Sequence, residues 1–389
     1  MDFSYSKNIH SEGNPTFAGL YIHVPFCRSK CRYCNFYSLA AAENHIPRYV
    51  QALIKEMVLY AGSSGPFDTI YLGGGTPSML SPEQLCEIFK EIRTHFSIAP
   101  ANECTIEVNP GDLTDDFIAF LTGSPVNRIN MGIQAFDDRI LTFLGRRHRA
   151  EDALVAFERL RRSGFDNVGI DLMYGIPGQD RAAWRGTLHH ALSLSPEHLS
   201  CYQLTLEPTT PLGKEFAAGR IELPDEGAQY DFFMTTTEVL EQGGYIQYEV
   251  SNFARGDAYR SRHNSKYWDH TPYLGLGPSA HSFTAGRRWW NHPSLEHYLT
   301  DLGNGIPPVD GSENLSAEQL VLEALFLGMR TRRGVNLDIL AKSYSYDLMV
   351  HKADVIDDLT DRGLTIIEDG WLRPTSRGMA MADHLSAIL

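Results

Sequence analysis

Three cysteines lie within eight residues near the start of the chain, at Cys27, Cys31 and Cys34. Thiolates crowded this closely are soft ligands, which select iron–sulfur clusters, zinc or copper(I). A structural zinc site has four protein ligands and no open position, and the ligands usually come as two pairs. The sequence has no second C-x2-C pair. Three thiolates can hold three irons of a 4Fe–4S cluster and leave the fourth iron open for a substrate or cofactor. The spacing therefore favours a cluster, with zinc, a disulfide knot or three buried thiols as the alternatives.

The residues around the cysteines predict how they are positioned. Residues 20–24 read as a short strand, which ends at Pro25 because proline has no N–H to offer a strand ladder. A helix is predicted at 47–61, where apolar residues recur at helical spacing. The cysteine loop thus follows a strand end directly, and it carries three cationic side chains: Arg28, Lys30 and Arg32.

Strand and helix patterns then alternate through the first half of the chain. Five further strands are predicted, at 68–72, 104–109, 128–134, 167–173 and 198–205. Such alternation produces right-handed crossovers and a parallel sheet. Six units are too few for a closed eight-stranded barrel, so we expect an α/β fold with an open, partial (β/α)6 TIM-like barrel.

Ligand chemistry in parallel barrels gathers at the C-terminal ends of the strands. This rule groups the cysteine loop with the glycine turn 73–75 and with Glu107, Gln134 and Asp171. Glycines at a strand end let the backbone approach a ligand and present bare N–H groups, although a tight turn is the simpler explanation. Glu107 and Asp171 lie in apolar strands, and a buried carboxylate is costly unless it is paired or bound to a ligand. We expect a functional role for both; the alternative is a hydrogen bond to a loop.

The cysteine loop resembles the signature of the radical S-adenosylmethionine (SAM) family, in which the open iron chelates the amino and carboxylate groups of SAM. Tyr33, one place before the last cysteine, belongs to the pattern and is counted with the SAM site. Further segments follow in the order found in the coproporphyrinogen oxidase-like branch of that family: YIHVPFC, GGGTP, IEVNP, NRINMGIQAFDD, LGRRH and IDLMYGIPGQ. This resemblance covers nearly the whole chain.

The resemblance implies a SAM site assembled from several segments. Tyr21 would pack beside the cofactor, while Gly74, Gly75 and Thr76 would contact its methionine end. Its amino-acid or ribose groups would be bound by four residues: Glu107, Gln134, Arg146 and Asp171. Thr205 falls where the family lines the site with a small residue.

The strand–helix alternation stops near Pro224, so we divide the chain into a barrel domain, 1–225, and a smaller C-terminal α+β domain, 226–389. The latter has predicted helices and a hairpin signalled by Asp-Gly, at 316–329, 337–344, 349–362 and 364–373. Three helices plus a ribbon are typical of a winged-helix-like module. This module is acidic and lacks a basic stripe, which favours a lid or a protein-contact surface over DNA binding.

A second group of chemistry-bearing residues lies in the C-terminal domain: His263, Asn264, Tyr267 and Trp268. Histidine is a common axial ligand of haem iron, and flat aromatic side chains suit a porphyrin face. Composition alone favours the alternative, in which these side chains pack the junction between domains. The HNxxYW pattern resembles the HemW group of haem chaperones, however, which implies haem binding with His263 as the leading iron ligand.

The same branch contains the oxygen-independent coproporphyrinogen III oxidases, HemN, which are the alternative function. The resemblance implies that those enzymes use a 5′-deoxyadenosyl radical from SAM to oxidise propionate side chains. They carry a further cysteine two places after the third, where this chain has Asn35-Phe36, and they have a longer N-terminal extension. Both departures favour HemW, whose members bind haem and pass it to apo haem proteins, and we assign no catalytic residue. A haem-degrading radical enzyme is the third interpretation.

The composition restricts the partners. The 389 residues carry a formal net charge of -14, which argues against nucleic acid or an anionic membrane as a main partner. No run approaches 18 apolar residues, so no transmembrane helix is expected. Segment 1–15 lacks the apolar core of a signal peptide. We therefore expect a cytoplasmic protein that meets membranes only through its acceptors. Its other cysteines, Cys86, Cys104 and Cys201, are expected to be reduced core residues, and the oligomeric state stays open.

Overall fold

A computed structural model describes residues 17–62 and 65–389, so the polar segment 1–15 lies outside the described residues. The first part of the chain alternates strands with helices: β1 (Ala18–Val24), β2 (Phe26–Cys27), β3 (Leu39–Ala40), α1 (Ile46–Leu59), β4 (Phe67–Gly74), α2 (Pro82–His95), β5 (Ile98–Val108), α3 (Asp115–Gly123), β6 (Arg128–Gln134), α4 (Asp138–Leu144), α5 (Ala150–Arg162), β7 (Val168–Tyr174), α6 (Arg181–Leu194), β8 (His198–Gln203) and α7 (Pro211–Ala217).

The predicted partial barrel is confirmed. Strands β1, β4, β5, β6, β7 and β8 pair in this order, and every one of these pairings is parallel. The apolar side chains on the outward face of these strands form one continuous core with the covering helices. Because the strands are parallel, their C-terminal ends lie on one rim, which receives the cysteine loop and the glycine turn.

Local sequence signals explain where the helices start. Helix α2 begins after Ser81, whose hydroxyl accepts the N–H of Gln84, while the Gln84 side chain accepts the N–H of Ser81. Pro82 occupies the first helical position, where its missing N–H costs nothing. The apolar residues of this helix that face the core are Leu85, Ile88, Phe89 and Ile92.

The chain continues with α8 (Glu226–Gln242), β9 (Ile246–Gln247), β10 (Asn252–Ala254), α9 (Arg262–Trp268), β11 (Tyr273–Leu276), β12 (His281–Thr284), β13 (Arg287–Asn291), α10 (Leu295–Gly303) and β14 (Val309–Asn314). These strands extend the barrel sheet on both sides. Strand β11 pairs in parallel with β1, and β12 to β14 follow antiparallel, while β10 and β9 continue antiparallel beyond β8. The sequence pattern does not predict this extension, and the division at residue 225 stays a proposal.

A separate core forms in the last part of the chain, from α11 (Ala317–Gly328), β15 (Val335–Asn336), α12 (Leu337–Tyr344), α13 (Leu348–Asp361), β16 (Thr365–Glu368), β17 (Trp371–Pro374), α14 (Ser376–Met379) and α15 (Ala382–Ile388). The first three of these five helices and the β16–β17 hairpin match the helices and hairpin that the sequence predicts for the end of the chain, whereas α14 and α15 were not predicted. None of the helices in the described part of the chain combines the length and hydrophobicity that crossing a bilayer requires.

Candidate cofactor site

A cavity of about 400 Å³ opens at the C-terminal rim of the parallel strands. Cys27, Cys31 and Cys34 line it together with most of the predicted SAM-binding residues: Tyr33, Gly74, Gly75, Thr76, Glu107, Gln134, Arg146, Asp171 and Thr205. Tyr21 does not line the cavity. It precedes His23 on β1, and its hydroxyl lies 3.0 Å from Nδ1 of His23. The fold thus brings the separate motifs to one place, as the strand-end rule predicts.

Backbone contacts hold the cysteine loop against the neighbouring helices. The N–H of Arg32 donates to the carbonyl of Leu144 at 3.0 Å, and its carbonyl accepts from Leu212 at 3.0 Å. Its guanidinium contacts Glu215 at 2.6 Å. Gly145 permits this approach, because it has a φ of +75° and an added Cβ would come 2.9 Å from the Arg32 side chain. Arg32 therefore fixes the loop rather than facing the cavity, since it is absent from the cavity lining.

A buried carboxylate fixes the other end of the loop. Asp112 contacts Arg28 at 3.2 Å and Arg147 at 3.0 Å, and its side chain is only 1% exposed. The hydroxyl of Ser78 donates to the same carboxylate at 3.3 Å. Two guanidinium groups compensate the charge of this carboxylate, which would otherwise be costly to bury. Asp112 thereby joins the cysteine loop to the region after β5.

The three thiols are free and half-buried, and two of them have a nearby donor. Arg146 Nη1 lies 3.4 Å from Sγ of Cys31, and the Thr76 hydroxyl lies 3.4 Å from Sγ of Cys27. Burial is the main cause that raises the pKa of Cys34. A cationic donor favours the thiolate, which is the form that binds metal.

Within the described ranges, no three His, Cys, Asp or Glu side chains are placed to hold a single metal ion. A four-iron cluster takes each thiolate on a different iron, so its ligands stand wider apart than those of one ion. The loop, its donors and the open cavity beside it fit such a cluster.

The glycine turn serves packing rather than the display of free N–H groups. The N–H of Gly74 donates to Oε2 of Glu107 at 3.2 Å, and the N–H of Gly75 donates to the carbonyl of Val24 at 2.8 Å. The prediction of bare N–H groups is therefore wrong for Gly74 and Gly75. A Cβ at Gly74 would come 2.5 Å from the His23 ring, and one at Gly75 would come 2.7 Å from the Phe26 carbonyl oxygen. Only glycine lets the turn lie this close to β1 and the cysteine loop.

Glu107 and Asp171 both reach the cavity and both have a specific donor. The Tyr71 hydroxyl donates to Oε1 of Glu107 at 2.7 Å, and Asn130 Nδ2 lies 2.8 Å from each carboxylate oxygen of Asp171. Burial chiefly raises the pKa of Glu107 to about 7, and it also raises the pKa of Asp171. Both carboxylates line the cavity and can accept further hydrogen bonds, which suits the ammonium and hydroxyl groups of SAM.

Gln134 ends β6 in an uncommon backbone conformation, with a φ of +72°. Residues other than glycine avoid this left-handed region, and such outliers gather at functional sites. The Gly132 carbonyl accepts from Arg146 Nη2 at 2.5 Å, and a Cβ at Gly132 would come 3.1 Å from Nε2 of Gln134. The strand end is therefore shaped to direct Gln134 and Arg146 into the cavity.

The predicted haem residues lie apart from the cavity lining, on α9. His263 is fully buried, and both ring nitrogens are engaged: Nδ1 lies 2.8 Å from the Thr69 hydroxyl and Nε2 lies 2.9 Å from the Tyr267 hydroxyl. Burial chiefly lowers its pKa to about 3. Asn264 and Trp268 are half-buried. In this conformation hydroxyl groups engage both nitrogens of His263, and its role as an iron ligand stays a prediction.

Sequence reasoning missed several residues that the site uses. Asn130 is a polar residue in an apolar strand, the signal that singled out Glu107, so the same argument could have found it. Tyr71 gave no such signal, because tyrosine is common in strands. Asp112 stands outside the motifs, and only its two arginine partners reveal its role. Conversely, Cys86 is exposed on α2, which corrects its assignment to the core, whereas Cys104 and Cys201 are buried as predicted.

Two family models match the chain. The Radical SAM superfamily model matches residues 21–191, and the HemN C-terminal domain model matches residues 315–381. The first range covers β1 to most of α6 and includes the three cysteines. The second range covers most of the C-terminal core.

Curated relatives match over most of their length. Heme chaperone HemW of Bacillus subtilis is 33% identical over 94% of this chain and 97% of its own length. Heme chaperone HemW of Lactococcus lactis is 32% identical over 94% of this chain and 95% of its own length. Among solved structures, coproporphyrinogen III oxidase (HemN) from Escherichia coli superposes with a TM-score of 0.81 at 23% identity, over 95% of this chain and 89% of its own. That structural likeness bears on the fold alone.

Proposed function

The chain belongs to the HemW family, and on this premise we propose that it is a haem chaperone that binds a 4Fe–4S cluster, SAM and haem. The observation that carries the proposal is the convergence of three thiols and the strand-end residues on one cavity. The radical SAM family match independently implies two of these groups, the 4Fe–4S cluster and SAM.

In this proposal each group of residues has a separate task. Cys27, Cys31 and Cys34 hold the cluster, which supplies one-electron chemistry when it is bound with SAM. Glu107 and Asp171 accept hydrogen bonds from the amino-acid and ribose groups of SAM. Nine of the ten predicted SAM residues line the cavity, which supports their assignment. The tenth, Tyr21, would act indirectly, by holding the His23 ring through its hydroxyl.

The cluster assignment has a direct test with a matched control. Cys31→Ser removes one proposed iron ligand, and Cys86→Ser removes an exposed thiol on α2. We expect the first variant to lose the cluster absorption and most of its iron after anaerobic reconstitution, and the second to keep both. Equal iron content in the two variants would refute the assignment.

The haem site stays a proposal for the α9 region, with His263, Asn264, Tyr267 and Trp268 as its candidates. Thr69 and Tyr267 occupy the nitrogens of His263, so one of these two hydrogen bonds must break before His263 could bind an iron. The acceptors are proposed to be apo haem proteins in the cytoplasm, with any membrane contact made through them and none with nucleic acid.

The function is tested by anaerobic titration of the cluster-reconstituted protein with haem, followed by mixing with an apo haem protein. Stable binding and transfer of an intact porphyrin are the expected results. Failure to bind haem, together with vinyl-group formation from coproporphyrinogen under the same conditions, would identify an oxidase instead. Loss of the porphyrin absorption during turnover would identify haem degradation.

A further inference from the structure

Three inward-facing residues of β4 form successive layers that lead from α9 up to the cavity. Thr69, Tyr71 and Gly73 share one face of the strand, because side chains alternate along it. Thr69 contacts His263 in the lowest layer. Tyr71 stacks on the His263 ring in the middle layer, with centroids 5.1 Å apart and planes inclined by 28°. Gly73 leaves space in the top layer for Glu107, since a Cβ there would come 3.0 Å from its carboxylate.

The position of His263 is fixed from every side. Its ring is held by Thr69 and Tyr267, and its backbone N–H donates to Oε1 of Glu103 at 3.1 Å. Gly19 of β1 lies so close that an added Cβ would come 3.0 Å from the ring. A fully buried side chain with this many contacts can transmit its position to its neighbours.

We propose that His263 is a positioning residue for the SAM site, which acts through the stacked Tyr71 ring to hold the Glu107 carboxylate towards the cavity. This inference rests on the proposed binding of SAM and gives the HNxxYW helix a second role besides haem. The link consists of two contacts: the ring stack, and the 2.7 Å hydrogen bond from Tyr71 to Glu107.

The same link controls the charge of Glu107. Burial raises its pKa to about 7, and the Tyr71 hydrogen bond is the first influence that opposes burial, because it stabilises the ionised form. Loss of that bond should raise the pKa further and delay ionisation to higher pH. The other groups that influence Glu107 or respond to it are Asp171, Arg128, the Gly74 N–H and the hydroxyls of Tyr21, Tyr202 and Tyr267.

The chain offers a matched control. Tyr298 donates a 2.6 Å hydrogen bond to the buried carboxylate of Glu56, outside the cavity lining. Tyr71→Phe and Tyr298→Phe therefore each remove one tyrosine–glutamate bond from the core. Only the first change should alter SAM binding if the proposed link exists, although both should lower stability.

The experiment measures SAM affinity by equilibrium dialysis on cluster-reconstituted protein between about pH 6 and 9, alongside iron content and haem titration. At neutral pH, Tyr71→Phe should weaken SAM roughly tenfold and move the pH midpoint of binding upward, while Tyr298→Phe matches the wild type. His263→Ala should weaken SAM binding similarly, because it removes the ring that stacks on Tyr71, and His263→Phe, which keeps a ring against Tyr71, should weaken it less.

An unchanged SAM affinity and pH midpoint in Tyr71→Phe would overturn the inference. So would a His263→Ala protein that loses haem but binds SAM normally, because that result assigns His263 to haem alone. A wild-type protein that binds SAM but not haem would refute the chaperone proposal, and the Tyr71→Phe comparison would still decide the positioning role. If the wild type binds no SAM, the inference fails with its premise.

Discussion

The hydroxyl of Tyr298 donates to Oε2 of Glu56 at 2.6 Å inside the core, although the two residues lie 242 positions apart. The same carboxylate accepts from the Gly277 N–H at 2.8 Å and from Asn291 Nδ2 at 2.6 Å. Glu56 is on α1, whereas its three partners belong to the region from the end of β11 to α10. One buried carboxylate therefore connects the first barrel helix with the sheet extension that the sequence did not predict.

Glu56→Ala should destabilise the protein strongly, because it takes the acceptor from the buried Gly277 N–H and Tyr298 hydroxyl and leaves Asn291 Nδ2 with only the Gly277 carbonyl. We expect a loss of about 3 kcal/mol in the free energy of unfolding, measured by chemical denaturation. Glu158→Ala is the control, since Glu158 is an exposed residue whose ion pair with Arg162 lies on the surface of α5. That variant should change stability by less than about 0.5 kcal/mol. Similar losses in both variants would contradict the role of Glu56.

The stability that depends on Glu56 should also vary with pH. Burial, the largest cause, raises its pKa from 4.5 to about 7 despite three hydrogen bonds that lower it. The folded protein then keeps a proton that the unfolded chain releases, so the contribution is complete below pH 4.5 and is lost as the pH rises through 7. The difference in unfolding free energy between wild type and Glu56→Gln should follow this course. A difference that is flat from about pH 4 to 8 would exclude the shift.

Arg146 should help to retain the cluster, because its guanidinium lies 3.4 Å from Sγ of Cys31 and favours the thiolate. Arg146→Met should reconstitute with less iron and lose its cluster faster when a chelator is added. Arg139→Met is the matched control, because the Arg139 side chain is 91% exposed and forms its ion pair with the nearby Asp137. Equal rates of iron loss in the two variants would show that the contact with Cys31 is not needed.

Periodicity and turn signals were enough to predict the parallel strands and the place where the motifs meet. They succeeded because each barrel strand carries its own pattern and parallel topology places every strand end on one rim. The extension β11 to β14 escaped prediction because its strands are short, and one of them, Arg287–Asn291, has no alternating apolar pattern. Its place in the sheet depends on distant partners such as Gly19, which pairs with Tyr273.

The haem candidates also depend on partners that are distant in the sequence, here for the contacts of one side chain. The contact between His263 and Tyr267 lies within one turn of helix and could be anticipated from spacing. The contact with Thr69 could not, because that residue comes from a strand 194 positions earlier. A sequence shows that a histidine is present, but only the packed structure shows whether its nitrogens are already engaged.

Gln134 allows backbone strain and ligand contact to be separated by two substitutions at one position. Its φ of +72° costs a residue with a Cβ about 1 kcal/mol, and glycine avoids this cost. Gln134→Gly and Gln134→Ala both remove the side chain that lines the cavity, so both should weaken SAM binding. Gln134→Gly should nevertheless be more stable than Gln134→Ala by up to about 1 kcal/mol, less the extra entropy of glycine in the unfolded chain.

Thermal denaturation measures the stability of the two Gln134 variants, and equilibrium dialysis measures their SAM affinity. A Gln134→Ala protein that is the more stable one would argue against strain, and unchanged SAM affinity in both would remove Gln134 from the site.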